Sequence, residues 1–316
     1  MLRGYDPVMP QLLNATETAA RLPWPALIAE MDALLRDTRV QVPPRQVLAL
    51  PGGASLFVMP AHDARVAIVK LITFTPANAG TGRATIQGDV VVFDVATGVR
   101  RQVLDGPTVT ARRTAAVSAL AAQYLASDPG GPLLIVGAGV QGRAHLEAFA
   151  QGLGVKSVCI ASRSEASAQA LAQHARTLGL HARVVHDANA ALADCPLVVT
   201  CTPASGVVLA APPRADAFIA AVGAFTPSMV ELGPPLCRHV AELGTIVVDT
   251  ADAVHEAGDL LQAGLPVEEF ATLRDVVNGV AGGQRPRAAG PVLFKSCGWA
   301  GWDLAAARCA LGCSGD

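Results

Sequence analysis

The run Gly137-Ala138-Gly139-Val140-Gln141-Gly142 constrains the fold of this chain more than any other feature. It follows the apolar residues 133–136 and precedes a segment with helical spacing, the strand–turn–helix context that gives G-x-G-x-x-G its meaning. The first glycine permits a tight turn, the second lets a pyrophosphate approach the backbone, and the third allows close helix–strand packing. The motif predicts a dinucleotide-binding unit; the alternative is a glycine-rich turn without a ligand.

Strand-like and helical segments alternate on both sides of this motif. Several strands are apolar on both faces, which is typical of a parallel sheet covered by helices. We therefore predict an α/β fold with a Rossmann-type doubly wound parallel sheet. The predicted strands span residues 133–136, 157–161, 197–201, 218–222 and 246–249, and the helices between them include 141–152 and 166–178.

The first third of the chain predicts a smaller α+β domain. Pro23 and Pro25 open a helix over residues 21–37, and an Ala-rich helix covers residues 110–125. Between them, short apolar runs at hairpin-like spacing predict a mostly antiparallel sheet, with strands at 47–50, 55–59, 66–73 and 90–93. Residues 294–311 are predicted as a loop and a final helix. We expect a substrate and dimerisation domain over 1–112, completed by 291–316, and a Rossmann domain over 113–290.

Composition narrows the class of protein. Only 16% of the residues are charged and the net charge is −2, whereas disordered acidic chains and coiled coils need dense charge. Nucleic-acid-binding domains are usually basic. The chain has no run of about 18 apolar residues and no signal-peptide core at its N-terminus. We expect a soluble, cytoplasmic protein that binds neither nucleic acid nor membrane.

The seven cysteines, at positions 159, 195, 201, 237, 297, 309 and 313, contain no C-x-x-C pair. A disulfide framework or a structural zinc site favours paired spacings. We therefore expect reduced, buried thiols without chemistry, and no metal site.

The residues after the second Rossmann strand predict which dinucleotide is bound. NAD enzymes place an acidic residue there for the ribose 2′-hydroxyl, whereas an Arg suits the 2′-phosphate of NADP. This chain has Ser162-Arg163-Ser164, so NADPH is preferred, although Arg163 stacking on adenine or pointing into solvent remains an alternative. Acceptance of NADH is left open. Loops at other strand ends should also touch the cofactor, and they contain Thr202, Pro203, Val222, Gly223 and Ala224.

Three cations stand out in this sparsely charged chain. Arg45 lies in Val-Pro-Pro-Arg, Lys70 ends an apolar run, and Arg113 lies on the Ala-rich helix. Such cations suit an anionic ligand such as a carboxylate, which Arg grips bidentately. The alternative for each is an ordinary surface or snorkelling charge.

Along nearly its whole length the chain resembles the ornithine cyclodeaminase/mu-crystallin family. The Ala-rich helix and the Phe-Lys-Ser motif are specific to this family, whereas the glycine fingerprint is generic. The matching pieces include Met59-Pro60, Val69-Lys70-Leu71, Pro76-Ala77-Asn78, Thr110-Ala111-Arg112-Arg113-Thr114, Glu231-Leu232, Glu256-Ala257-Gly258-Asp259 and Phe294-Lys295-Ser296-Cys297-Gly298. In relatives, the N-terminal domain binds substrate and forms a homodimer.

The resemblance implies NADPH-dependent reduction of cyclic imino acids, Δ1-pyrroline-2-carboxylate to L-proline and Δ1-piperideine-2-carboxylate to L-pipecolate, with ring-size preference open. Arg45 and Lys70 would hold the carboxylate, and Lys70 would also protonate the imine. Glu256 would stabilise the iminium or relay protons, and Thr85 would contact the substrate or the ribose. Arg113, Thr114 and Ser296 would lie on the cofactor side.

Other activities occur in the same family. They are ornithine cyclodeamination, alanine dehydrogenation and crystallin-like binding without turnover. Phe225 stands where cyclodeaminases carry an Asp, which argues against cyclodeamination.

Overall fold

A computed structural model describes residues 11–78, 80–203, 205–279 and 290–312. The chain divides into two compact units, Met1–Arg113 with Ala300–Asp316, and Thr114–Trp299. In the described ranges, no helix is both long and apolar enough to cross a membrane. Cys313 lies outside the described residues.

The first unit is built on a six-stranded sheet in the order β1-β6-β5-β4-β3-β2. Every neighbouring pair is antiparallel except β1 and β6, so the predicted mostly antiparallel sheet is confirmed. The strands are β1 Gln11–Leu12, β2 Gln46–Ala49, β3 Ser55–His62, β4 Val66–Phe74, β5 Ile86–Asp94 and β6 Arg100–Asp105.

Four helices accompany this sheet: α1 Ala15–Ala20, α2 Trp24–Arg36, the N-terminal part of α3 Gly106–Leu125, and α10 Ala300–Leu311. Pro23 caps α2 and Pro25 lies in its first turn, as the sequence predicts. Helix α10 packs against α2, β3 and β4 and is buried along nearly its whole length. Its Arg308 forms ion pairs with Asp63, Asp37 and Glu30, which fix the C-terminal helix to α2 and to the turn after β3.

The second unit contains an eight-stranded, entirely parallel sheet in the order β15-β14-β16-β12-β10-β7-β8-β9. The α/β fold with a parallel sheet is therefore confirmed. The strands are β7 Leu133–Val136, β8 Ser157–Ala161, β9 His181–Val184, β10 Leu197–Thr200, β12 Phe218–Ala221, β14 Thr245–Val248, β15 Ala271–Thr272 and β16 Val292–Lys295.

Helices and a small second sheet complete this unit. Strands β11 Ser205–Leu209 and β13 Val230–Leu232 form a parallel pair of their own. The helices are the remainder of α3, then α4 Val140–Leu153, α5 Glu165–Thr177, α6 Ala188–Ala191, α7 Pro234–Leu243, α8 Gly258–Gln262 and α9 Leu273–Gly279.

The prediction of a loop beginning at residue 294 is wrong at its start, where the structure has a strand. Val292–Lys295 is a fully buried strand, β16, between β12 and β14 of the second unit's sheet. The run is short and ends in a lysine, which by itself indicates an exposed end. The sheet accepts Lys295 because Asp259 neutralises its charge.

The direction in which successive strands are added to this sheet reverses at β7. The chain runs from β7 outward to β8 and β9, then returns to β10 on the other side of β7. This places a topological switch point between β7 and β10, at whose carboxyl edge ligands of such sheets bind.

Candidate active site

The carboxyl ends of the parallel strands bring most of the predicted cofactor residues to one edge of the sheet. Val136 at the end of β7 pairs with Thr200 of β10, which pairs in turn with Ala221 of β12. The predicted residues that follow these and neighbouring strands are 137–142 after β7, 162–164 after β8, Thr202 and Pro203 after β10, Val222 and Gly223 after β12, and Ser296 after β16.

The glycines of the fingerprint have separate geometric roles. Gly137 has a φ of +115°, and a Cβ there would lie 2.7 Å from the carbonyl oxygen of Cys201. A Cβ on Gly142 would collide with the Gly137 carbonyl oxygen. Gly139, by contrast, is the N-cap of α4, makes no side-chain cap, and has open space where a Cβ would stand. These features fit a dinucleotide pyrophosphate at the helix N-terminus.

The turn after β8 leaves a cation at the surface. The Ser164 hydroxyl caps α5 by accepting a hydrogen bond from the Ser167 N–H at 3.2 Å, and Ser162 accepts one from the Ser164 N–H at 3.3 Å. Between them Arg163 is exposed, and its guanidinium makes no hydrogen bond or ion pair with any described residue. The turn is therefore fixed while its guanidinium stays accessible to an anion.

A buried carboxylate holds the loops after β10 and β12. Glu231 accepts hydrogen bonds from the Thr202 N–H at 2.6 Å, the Thr202 hydroxyl at 2.9 Å, the Thr200 hydroxyl at 3.0 Å and the Gly223 N–H at 2.7 Å. Any side chain on Gly223 would collide with this carboxylate. Burial raises the pKa of Glu231. The sequence singles out Glu231 only through the resemblance and gives no role for it.

Two further carboxylates support this edge. Asp259 accepts hydrogen bonds from the N–H groups of Glu231 and Leu232, at 2.6 and 2.9 Å, and pairs with Lys295 at 2.7 Å. Asp249 accepts hydrogen bonds from the Ser296 hydroxyl at 2.8 Å and from the N–H groups of Cys297 and Gly298. Ser296 is predicted as a cofactor residue, and in the structure its hydroxyl donates this hydrogen bond to Asp249.

The first unit contains a buried cationic cluster around Asp303 of α10. The Lys70 Nζ lies 2.9 Å from the Asp303 Oδ1, and the Arg113 Nε lies 3.5 Å from the same oxygen. Lys70 and Asp303 have no exposed surface. Burial lowers the pKa of Lys70 to about 8; Asp303 opposes this shift, while the charges of Arg113 and Arg45 add to it.

Arg45, half-buried just before β2, is therefore close enough to act on Lys70 electrostatically. Two buried atoms of the cluster, the Arg113 Nε and the Asp303 Oδ2, have no hydrogen-bond partner among the described residues. Arg113, predicted on the cofactor side, lies in the first unit beside Lys70. The structure thus brings Lys70 and Arg113 together on Asp303, with Arg45 within electrostatic range of Lys70.

The remaining predicted residues occupy separate positions. Thr85 is half-buried, next to the start of β5, and Glu256 is half-buried at the end of the 3-10 helix Ala251–His255. Thr114 is buried on α3, where its carbonyl oxygen accepts the Ser118 hydroxyl. Within the part of the chain that the structure describes, no three His, Cys, Asp or Glu residues form a metal-binding group.

Asp303 is the member of this buried cluster that sequence reasoning missed. Its helix reads Ala-Gly-Trp-Asp-Leu-Ala-Ala-Ala-Arg-Cys-Ala-Leu and is apolar on nearly every face. A carboxylate in such a helix is costly unless it is paired. That single acid in a buried helix is the signal that would have identified it.

Comparison with known proteins agrees with this architecture. Residues 12–311 match the model of the ornithine cyclodeaminase/mu-crystallin family. The chain is 37% identical over 307 residues to Delta(1)-pyrroline-2-carboxylate reductase 1 of Burkholderia multivorans, covering 95% of this chain and 94% of the relative.

Two further proteins are similar over most of the chain. One is the Delta(1)-pyrroline-2-carboxylate/Delta(1)-piperideine-2-carboxylate reductase of Azospirillum brasilense, at 36% identity over 95% of this chain and 94% of the relative. The other is the solved structure of an archaeal alanine dehydrogenase dimer with bound NAD, which has a TM-score of 0.85 and 26% identity over 96% of this chain and 95% of that chain. On sequence and on fold, the chain belongs to the ornithine cyclodeaminase/mu-crystallin family.

Proposed function

We propose that this protein reduces cyclic imino acids with a nicotinamide cofactor, converting Δ1-pyrroline-2-carboxylate to L-proline and Δ1-piperideine-2-carboxylate to L-pipecolate. The observation that carries the proposal is the buried Lys70, held between Asp303 and Arg113 with a pKa of about 8. An ammonium with that pKa is a suitable general acid near neutral pH. The names of the bacterial relatives, which are reductases of these two imines, support it.

The cationic cluster would bind the carboxylate of such a substrate and protonate its imine nitrogen. Arg45 and Arg113 would bind the ring carboxylate through charge-assisted hydrogen bonds and fix the orientation of the C=N bond. Lys70 would donate its proton to the imine nitrogen, because an iminium accepts hydride more readily than an imine. When bound, the nicotinamide supplies the hydride that adds to C2. Glu256 as a proton relay, Thr85 as a substrate contact and Thr114 as a cofactor contact remain predictions.

NADPH is the proposed form of the cofactor. Arg163 offers an accessible guanidinium after β8, where a 2′-phosphate lies in NADP-binding sheets. We expect Arg163→Ala to raise the KM for NADPH about tenfold and to leave the KM for NADH nearly unchanged. The paired surface residue Arg214 is the control, because Arg214→Ala should change neither value. A wild-type preference for NADH would contradict the assignment.

Absorbance at 340 nm tests the reaction itself. The reductase proposal predicts NADPH oxidation with pyrroline-2-carboxylate or piperideine-2-carboxylate. NADH or NADPH oxidation with pyruvate plus ammonia alone would indicate an alanine dehydrogenase instead, which the structural similarity at 26% identity makes the second candidate. Ammonia release from ornithine without net cofactor oxidation would indicate a cyclodeaminase, and binding without turnover would indicate a crystallin-like protein.

Two substitutions separate chemistry from substrate binding. Lys70→Met should abolish turnover and leave NADPH binding nearly intact, whereas Lys156→Met, at an exposed lysine, should have no effect. Arg45→Ala should chiefly raise the KM for the imino acid. Near-normal turnover by the Lys70 variant would remove that residue from the mechanism.

We also propose a homodimer, formed by the outer face of the first unit's sheet. Along β4, Val69 and Leu71 alternate with the buried Lys70 and Ile72, and Leu71 is 39% exposed. Leu48 on the edge strand β2 is 47% exposed. The solvent face of an antiparallel sheet is ordinarily polar, so an apolar one indicates a surface for another subunit.

A further inference from the structure

The second unit has a cavity that the proposed function does not use. Its volume is about 520 Å³, and its walls include Cys159, Arg183, Asp194 and Cys195. Pro132 precedes β7 and Cys195 lies two residues before β10, so the cavity lies at the amino edge of the parallel sheet. The glycine fingerprint lies at the opposite, carboxyl edge.

Two thiols and a guanidinium line this cavity, and the guanidinium contacts one of the thiols. Arg183 of β9 lies beside Cys159 of β8 in the sheet register, and its Nε donates a hydrogen bond to the Cys159 Sγ at 3.1 Å. The Arg183 Nη2 donates to the Asp194 Oδ2 at 2.8 Å, which holds the guanidinium in place. Cys195 follows Asp194 in the chain and lines the same cavity as Cys159. Both cysteines are free thiols.

The surroundings make the two sulfurs unequal. Hydrogen bonding with the neighbouring Cys195, and then the hydrogen bond and charge of Arg183, lower the pKa of Cys159 to about 6 against the opposing effect of burial. Hydrogen bonding with Cys159, together with burial, raises the pKa of Cys195. Cys159 also keeps 6% exposure whereas Cys195 has none, so a small molecule in the cavity meets Cys159 first.

We propose that Cys159 and Cys195 form a redox-active thiol pair that small hydroperoxides oxidise to a disulfide. The Cys159 thiolate attacks a peroxide oxygen: an S–O bond forms, the O–O bond breaks, and the peroxide is reduced to an alcohol or water as Cys159 becomes a sulfenic acid. Cys195 then attacks the Cys159 sulfur: the S–S bond forms, the S–O bond breaks, and the hydroxide leaves as water with the thiol proton.

Mapping of cysteine oxidation in the whole wild-type protein tests the pair directly. After exposure to hydrogen peroxide and blocking of free thiols, peptide mass spectrometry should find a Cys159–Cys195 disulfide while Cys237 remains alkylated. Cys195→Ser should instead accumulate a Cys159 sulfenic acid that dimedone traps, and the control Cys237→Ser should behave like the wild type. Peroxide treatment that leaves Cys159 and Cys195 unlinked would overturn the proposal.

The rate of alkylation tests the role of Arg183. In the wild type at pH 7, iodoacetamide should modify Cys159 at least ten times faster than the buried Cys237, because the thiolate is the nucleophile. Arg183→Met should slow this reaction about tenfold, and Arg143→Met, which removes a surface arginine of α4, should leave it unchanged. Equal rates for Cys159 and Cys237 in the wild type would contradict an activated thiol, whatever the stability of the variants.

Discussion

The ammonium of Lys70 is buried, and burial disfavours its charged form. The charged side chains around it determine how far its pKa falls. Burial and the nearby Arg113 and Arg45 lower that pKa, while the Asp303 carboxylate raises it, with about 8 as the result. Removal of one neighbour should therefore move the pKa in a known direction. His145, in the second unit, is buried as well, and no carboxylate among the described residues forms an ion pair with it.

The pH dependence of turnover should report the titration of Lys70. Because the protonated amine is the proposed acid, kcat/KM for the imino acid, which reports the free enzyme, should fall as pH rises through about 8. Asp303→Asn removes the charge that raises this pKa, so the falling limb should move about one pH unit lower. The control Asp32→Asn removes a surface carboxylate of α2 and should leave the limb in place. An unchanged limb in Asp303→Asn would show that Lys70 is not the acid.

His145 should make stability pH-dependent. Burial lowers its pKa from 6.5 to about 4. Its contribution is complete above pH 6.5 and is lost as pH falls toward 4, because the unfolded state binds the proton more readily. At pH 5 the loss is about 2 kcal/mol relative to pH 7. Denaturant titrations of wild type and His145→Gln should differ in pH dependence by this amount; parallel curves would contradict a neutral buried imidazole.

At the scale of elements, short turns and buried carboxylates shape the edge where the cofactor is proposed to bind. The turn from β7 into α4 depends on glycines for two different reasons: packing at Gly137 and Gly142, and open space at Gly139. The loops after β10 and β12 depend on Glu231, which accepts hydrogen bonds from both.

A pair of alanine substitutions separates these two uses of glycine. Gly142→Ala puts a methyl group against the Gly137 carbonyl, so it should lower the free energy of unfolding by about 1–3 kcal/mol. Gly139→Ala meets no atom and should change stability by less than about 0.5 kcal/mol. It should nevertheless weaken NADPH binding about tenfold, because its methyl group fills the space where the pyrophosphate approaches. Thermal unfolding and fluorescence titration measure the two effects, and unchanged binding by Gly139→Ala would contradict the proposed phosphate position.

Glu231→Gln should weaken the loops after β10 and β12. The amide would turn hydrogens toward groups that already donate hydrogen bonds, at a cost of about 1–3 kcal/mol in unfolding free energy. We also expect a higher KM for NADPH, since Thr202 and Gly223 are predicted cofactor contacts. Glu242→Gln, at an exposed residue of α7, is the matched control. A stable Glu231→Gln variant with unchanged KM would show that this carboxylate does not organise the site.

At the scale of the whole molecule, the C-terminal helix α10 returns to the N-terminal sheet. It brings Asp303 to Lys70 across 233 residues of sequence and Arg308 to three N-terminal carboxylates. The inner face of that sheet is thereby covered, while its outer face stays apolar and accessible.

A charge on the outer face should dissociate the proposed homodimer. Leu71→Arg puts a guanidinium where an apolar contact is expected, so light scattering after gel filtration should change from a dimer mass to a monomer mass. Leu178→Arg, at a residue of similar exposure in the second unit, should stay dimeric. A wild-type monomer, or a dimeric Leu71 variant, would contradict the proposed interface.

The sequence predicts the order and type of the main elements because the signals are local. Four apolar residues before a glycine fingerprint place β7 at residues 133–136, where the structure has it. The helix predicted from Pro23 and Pro25 begins at residue 21, three residues before the observed start of α2. The parallel sheet follows from strands apolar on both faces, since only helices on either side bury such strands.

Only the tertiary structure decides the pairings that depend on distant residues. Lys70 is a cation at the end of an apolar run until α10 places Asp303 beside it. Lys295 makes its run look exposed until Asp259 pairs with it inside the sheet. From the sequence, Cys159 and Cys195 are ordinary thiols. In the folded chain, the register of β8 and β9 places the Arg183 guanidinium beside the Cys159 sulfur. Periodicity fixes the elements because it acts over a few residues, whereas charges are stabilised or activated by partners that only the folded chain brings near.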